Sequence, residues 1–214
     1  MKIVKRQFWR RSVIMWELFA IIGTVAFAIS GASVAMEEEY DLLGVYVLAF
    51  ITAFGGGAIR NVLLGLPLEL LWDQKIYFLI AFAVTTLLFY FPSKVLPYWE
   101  KWGVLTDAIG LSAFAIQGAL LAHTYHLPIP AMVLAALLTG VGGGIVRDLL
   151  AKRQPFVLKY DLYAVWAMIG GLLVSIETLR TPASLYILFA LLILLRMISY
   201  TYGWSLPRPK KQIS

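Results

Sequence analysis

Apolar runs of about twenty residues, separated by short polar or proline-containing connections, dominate the chain, and a run of that length crosses a bilayer as one α-helix. Seven such runs are predicted as spans, at 15–36, 41–60, 75–92, 104–123, 129–150, 160–178 and 183–203. The connections leave no room for an extramembrane domain, so 1–214 reads as a single all-α, polytopic membrane domain.

The apolar pattern occurs twice. Ile22 to Ala35 (IGTVAFAISGASVA) matches Ile109 to Ala122 (IGLSAFAIQGALLA) at nine of fourteen positions, with an offset of 87. At the same offset Thr52 corresponds to Thr139, and Gly55-Gly56-Gly57-Ala58-Ile59-Arg60-Asn61 to Gly142-Gly143-Gly144-Ile145-Val146-Arg147-Asp148. After one inserted residue, Pro67 aligns with Pro155 and Asp73 with Asp161. Three helices therefore occur twice, as repeats 15–92 and 104–178, and a seventh helix at 183–203 stands outside them. Three is odd, so the second copy is expected to cross the membrane in the opposite sense. Inverted repeats of this kind place a binding or permeation site at their interface, near the midplane. The first run, basic before and ending Ala32-Ser33-Val34-Ala35, imitates a secretory signal. It is longer than a 7–15-residue signal core, and its recurrence in mid-chain marks it as structure.

The glycine tracts need a physical reason. A glycine inside a helix costs roughly 1 kcal/mol relative to alanine, and three stand together in each tract. One use is a helix break that turns bare backbone toward a cavity, where unpaired groups are tolerated at membrane depth. The other is close approach of a neighbouring helix, which small residues permit. The arginine three positions after the last glycine in both copies favours the helix break, because an intramembrane ionisable side chain faces a cavity or a partner. Snorkelling to the headgroups is the alternative for Arg60 and Arg147. It is also the expectation for Arg196, seven residues before Gly203.

Composition agrees with the pattern. The 214 residues are 61% hydrophobic and 14% charged, with a mean hydropathy of +0.81. A soluble domain is about 45–50% apolar and about 25% charged. The net charge of +6 does not signal nucleic acid, since the basic residues gather at Lys2 to Arg11, Lys152 to Lys159 and Arg208 to Lys211, outside the apolar runs. Those are headgroup positions in a multi-pass cell-membrane protein surrounded by lipid. The Lys/Arg count of the two sides is seven against eight and does not orient the chain. The first helix alone, basic before and Glu37-Glu38-Glu39 after, favours a cytoplasmic N-terminus. The absence of cysteine excludes disulfides and thiolate metal sites.

No catalytic constellation, metal site or cofactor motif is visible, so no enzyme is expected. The glycine tracts lack the Lys-Ser/Thr of a phosphate loop, and His123 and His126 read as solvated loop residues. Polar residues inside the spans carry more information. Thr52 and Thr139 precede the glycines by about one turn. Ser30 and Gln117 are equivalent, and Asp107 begins the fourth span. Asn61 and Asp148 follow the arginines. Neighbouring helix residues diverge, so Arg147 and Asp148 need not pair with one another, and a cross-repeat pair of Arg60 with Asp148 is an alternative.

The doubled GGG-x-x-R-[D/N] tract, the second within GVGGGIVRDLLAKRQPFVL, and seven spans in just over 200 residues resemble the prokaryotic trimeric intracellular cation (TRIC) channel family. Many bacterial members of it are catalogued under a duplicated glycine transporter domain. The resemblance implies a homotrimer with one pore per protomer, lined where the second and fifth helices kink at Gly55, Gly56, Gly57 and at Gly142, Gly143, Gly144. It implies permeation by monovalent cations, chiefly K+, and a cytoplasmic C-terminus, which with seven spans puts the N-terminus outside. The alternative is a carrier for glycine or a similar small amino acid. Candidate pore or binding residues are Thr52, Thr139, Arg60, Arg147, Asp148 and the six glycines; Asn61 opposite Asp148 breaks the symmetry of the carboxylates.

Overall fold

Asp41 opens the helix that carries the first glycine tract, its carboxylate accepting the Gly44 backbone N–H at 2.8 Å, a side-chain cap on an otherwise unpaired donor. From there α2 (Leu42–Leu63) runs unbroken through Gly55, Gly56 and Gly57. Its partner α6 (Ile129–Leu150) runs equally unbroken through Gly142, Gly143 and Gly144. In this computed structural model, which describes residues 2–92, 96–159 and 162–207, the expected helix break is therefore not found. Both tracts stay hydrogen-bonded as α-helix, and the glycines have another use, described below. Asp161, Lys94 and the basic residues from Arg208 onward lie outside the described residues.

The other elements are α1 (Lys2–Glu37), α3 (Glu69–Trp72), α4 (Lys75–Tyr90), α5 (Leu96–Thr124), α7 (Phe156–Lys159), α8 (Tyr163–Ser175), a 3-10 turn at Glu177–Leu179 and α9 (Pro182–Thr201). No strand occurs among the described residues. Among the described residues five helices are long and apolar enough to span a bilayer: Trp16–Glu37 within α1, α2, Trp102–Thr124 within α5, α6 and α9. The third and sixth predicted runs are shorter, 16 residues in α4 and 13 in α8. At 1.5 Å per residue these are about 24 Å and 20 Å long, short of the roughly 30 Å hydrocarbon layer. Each is preceded by a four-residue helix, α3 or α7, which takes up residues that the hydropathy pattern assigns to a loop.

The duplication extends to turn geometry. The ends of α1 and α5, and both ends of α2 and α6, fall 87 positions apart. So do the left-handed residues that stop these helices, Glu39 with His126 and Gly65 with Lys152. After α2, the Leu66 N–H reaches the Asn61 carbonyl at 2.8 Å and the Gly65 N–H that of Val62, the double bond of a Schellman terminus. After α6, Arg153 repeats the first of these bonds to Asp148. Gly65 takes its positive φ at no cost in side-chain clash; Lys152 adopts the same region with a side chain.

At the centre α1, α2, α5 and α6 form a ring of contacts, α1 on α2 and α5, and α6 on α2 and α5. Outside it α4 packs on α1 and α2, and α8 on α5 and α6, with α9 against α5 and α8. The central layer is sealed by Phe27 and Phe114, an edge-to-face pair 5.2 Å apart. Leucines and isoleucines of α4 and α9, among them Ile76, Leu79, Ile187 and Leu194, are exposed on the outside, as a lipid-facing surface requires.

Candidate functional site

The glycines bring backbones together. A Cβ on Gly56 would lie 2.6 Å from the Thr139 carbonyl oxygen, and one on Gly143 would overlap the Thr52 carbonyl oxygen. The contacts are reciprocal across the repeat. Gly31 faces Leu48 and Thr52 as Gly118 faces Ala135 and Thr139, and Gly23 meets Phe114 as Gly110 meets Phe27. Exchanged contacts of this kind define a self-complementary interface. Gly55 differs, with Ile51 Cγ2 at 3.7 Å as its nearest neighbour. The third glycine of each tract makes room for the arginine: Arg60 Nη2 is 3.6 Å from a Cβ on Gly57, and Arg147 Nη2 3.8 Å from one on Gly144.

Both arginines are buried in protein, at 2% and 4% exposure, so neither snorkels. Their partners differ. Arg147 donates to Asp148 Oδ1 from Nε and Nη2, both at 2.8 Å. Its Nη1 reaches Ser30 on α1 and Asp107 on α5, the latter at 3.3 Å. The pairing of Arg147 with Asp148, left open by the divergence of neighbouring helix residues, does form: the long guanidinium arm folds back to the carboxylate of the next residue. Asp148 Oδ2 also accepts the Phe156 N–H at 3.4 Å, fixing the start of α7. Arg60 donates from Nε and Nη2 to Asn61 Oδ1, at 3.0 and 2.8 Å, and from Nη1 to Thr139 Oγ1 at 3.2 Å. Its cross-repeat partner is a threonine, not Asp148. Asn61 in turn donates to the Pro67 carbonyl at 3.1 Å. Thr52 and Thr139 each donate to the carbonyl four residues back, at 2.6 Å.

A cavity of about 190 Å³ opens beside the Arg147 cluster, lined among others by Ser30, Val34, Gly103, Asp107, Arg147 and Arg196. Its rim carries Arg153, which pairs with Glu37 at 2.9 Å and Glu38 at 2.6 Å and ties the α6–α7 connection to the end of α1. Arg196, expected at the headgroups, is instead 1% exposed, with its guanidinium carbon 4.8 Å from the centre of the Tyr163 ring and 5.7 Å from that of Tyr200. Such aromatic faces attract a cation. The site therefore gathers Ser30, Asp107, Arg147, Asp148 and Gly144 with Tyr163 and Arg196. Tyr163 carries no sequence signal of its own, while Asp107 is legible as an acid at the mouth of an otherwise uncharged run. His123 lies against Arg180 rather than free in solvent.

A family model described as glycine transporter matches residues 17–93 and again 104–177. The chain is 57% identical over 192 residues to the UPF0126 membrane protein YvgT of Bacillus subtilis, covering 90% of this chain and 95% of that one. It superposes on a solved TRIC cation channel with TM-score 0.79 and 38% identity, over 92% of this chain and 98% of the other. It also superposes on a prokaryotic TRIC channel solved in 0.5 M KCl, with TM-score 0.81 and 34% identity, over 91% and 100%.

Proposed function

The chain belongs to the prokaryotic TRIC channel family and carries the glycine transporter segment twice, and on that premise we propose that it conducts monovalent cations, chiefly K+, as a homotrimer with one pathway in each protomer. The reading takes the two three-helix repeats as inverted and the pathway as running where α2 and α6 cross at their glycines. Thr52, Gly55, Gly56, Gly57, Arg60, Thr139, Gly142, Gly143, Gly144, Arg147 and Asp148 are its candidate residues. The observation that carries it is the 190 Å³ cavity, whose inner end is the Ser30–Asp107–Arg147–Asp148 cluster beside that crossing. Two carboxylates face one guanidinium there, so Arg147 does not present an uncompensated positive charge to a cation.

The second reading, a carrier for glycine or a similar small amino acid, is favoured by one feature: Arg60 is buried without a carboxylate partner among the described residues, and a guanidinium receives carboxylates well. The space beside Arg60 is about 20 Å³, close to one water, which weighs against an amino acid there. The two readings separate on reconstituted protein, by recording unitary currents in K+ and measuring uptake of labelled glycine in parallel. Unitary K+ currents without saturable glycine uptake are expected; saturable uptake without currents would replace the channel with the carrier. Crosslinking in mild detergent should give a trimer as its largest product.

A further inference from the structure

The two repeats treat the same buried arginine in opposite ways. Arg147 has Asp148 and Asp107 within 3.3 Å. At the equivalent positions of the first repeat, 87 residues earlier, stand Asn61 and Ala20. Both carboxylates are absent from the first repeat while the arginine is present. Arg60 is as buried as Arg147, yet its hydrogen-bond acceptors, Asn61 and Thr139, are neutral. They take three of the five N–H groups that a guanidinium carries. A charge taken out of water without a counter-charge is costly, so the first repeat needs a compensating anion from outside.

Space for one exists. Arg60 lines a cavity of about 20 Å³ together with Thr24, Gly57, Gln74, Gln117 and Thr139; Thr24 contributes a hydroxyl, Gln74 and Gln117 contribute amides, and there is no carboxylate. That volume holds about one water-sized particle, so it suits a monatomic ion and excludes an amino acid or a bulky organic anion. We propose that this pocket binds a single small anion of the halide class, chloride under ordinary conditions, as the counter-ion that the first repeat lacks in its own sequence. Bound there, the anion removes the repulsion between Arg60 and any cation crossing the protein, in the way that Asp107 and Asp148 do for Arg147. The inference stands on Arg60 and its pocket, and holds whether the protein is a channel or a carrier.

The test is thermal unfolding of the whole purified protein, followed by tryptophan fluorescence, with potassium held constant and the anion varied among gluconate, chloride and bromide. Wild type is expected to melt about 2–4 °C higher in either halide than in gluconate, the shift of a modest stabilisation in a chain of this size. Asn61→Asp, which supplies the carboxylate that the second repeat has, is expected to lose that difference and to melt in gluconate as wild type does in chloride. Halide independence of wild type, or an equal halide shift in Asn61→Asp, would overturn the proposal. Stabilisation by glycine but not by halide would overturn it too and would move the pocket to the carrier reading. Bromide-soaked crystals of wild type give a check that does not depend on the variant folding: an anomalous peak against the Arg60 guanidinium is expected, and its absence contradicts the site.

Discussion

Replacing Gly143 by alanine tests what the glycine tracts are for. Alanine is the better helix former by roughly 1 kcal/mol, and α6 is already continuous through this position, so local propensity alone predicts stabilisation. The tertiary contact opposes it. The added Cβ would overlap the carbonyl oxygen of Thr52, which is held inside α2 and has no rotamer to move into. A carbon and a carbonyl oxygen settle at about 3.3–3.6 Å, so α2 and α6 must part by roughly 1.5 Å at their crossing. Overpacking costs about 1–3 kcal/mol, and backbone on the far side places this case at the top of that range. The expected net loss is about 2 kcal/mol. Gly55→Ala is the matched control: its Cβ meets only Ile51 Cγ2, at an ordinary 3.7 Å, and it should be neutral or stabilising by up to about 1 kcal/mol. The two variants should therefore differ by about 2–3 kcal/mol in unfolding from mixed micelles by titration with a denaturing detergent. Equal stability of the two would refute the close-approach account of the tract.

Asp107→Asn leaves the buried Arg147 with Asp148 as its only carboxylate, and should cost about 1.5–3 kcal/mol, the range for a hydrogen bond to a charged group, read in the same micelle titration. Tags placed at the two ends of the chain should be accessible from opposite faces of the membrane. Labelling of both from one side would remove the seven-span topology and the inverted repeat with it.

Much of this architecture was legible in the sequence, because burial in lipid forces apolar length and the 87-residue duplication shows directly in Ile22 to Ala35 and Ile109 to Ala122. The place of Thr52 and Thr139 one turn before the tracts could also be read there, as could the equivalence of Ser30 and Gln117 in the two repeats. What could not be read depends on what a neighbouring helix presents. Glycine's poor propensity pointed to a break, but the contacts of Gly56 and Gly143 with facing carbonyls stabilise a helix that propensity disfavours. Position near a span's end pointed Arg196 toward the headgroups, whereas Tyr163, from a different helix, supplies an aromatic face that holds it inside. The divergence of neighbouring helix residues concerns Cβ directions, and Arg147 escapes it through the length of its side chain. Hydropathy overran the ends of α4 and α8 because it counts apolar residues of the adjoining turns, Phe91 and Ile176 among them, with the helix.

The most direct test of the proposed pathway uses the absence of cysteine in the natural chain. Val34 lines the 190 Å³ cavity one turn from Ser30, so Val34→Cys carries a single thiol on the proposed route. Unitary K+ currents of the reconstituted variant are recorded before and after a cationic methanethiosulfonate reagent. The account predicts currents that the reagent abolishes or sharply reduces, with cysteine-free protein unaffected. Full labelling of the introduced thiol that leaves the K+ current unchanged would contradict a pathway through this cavity.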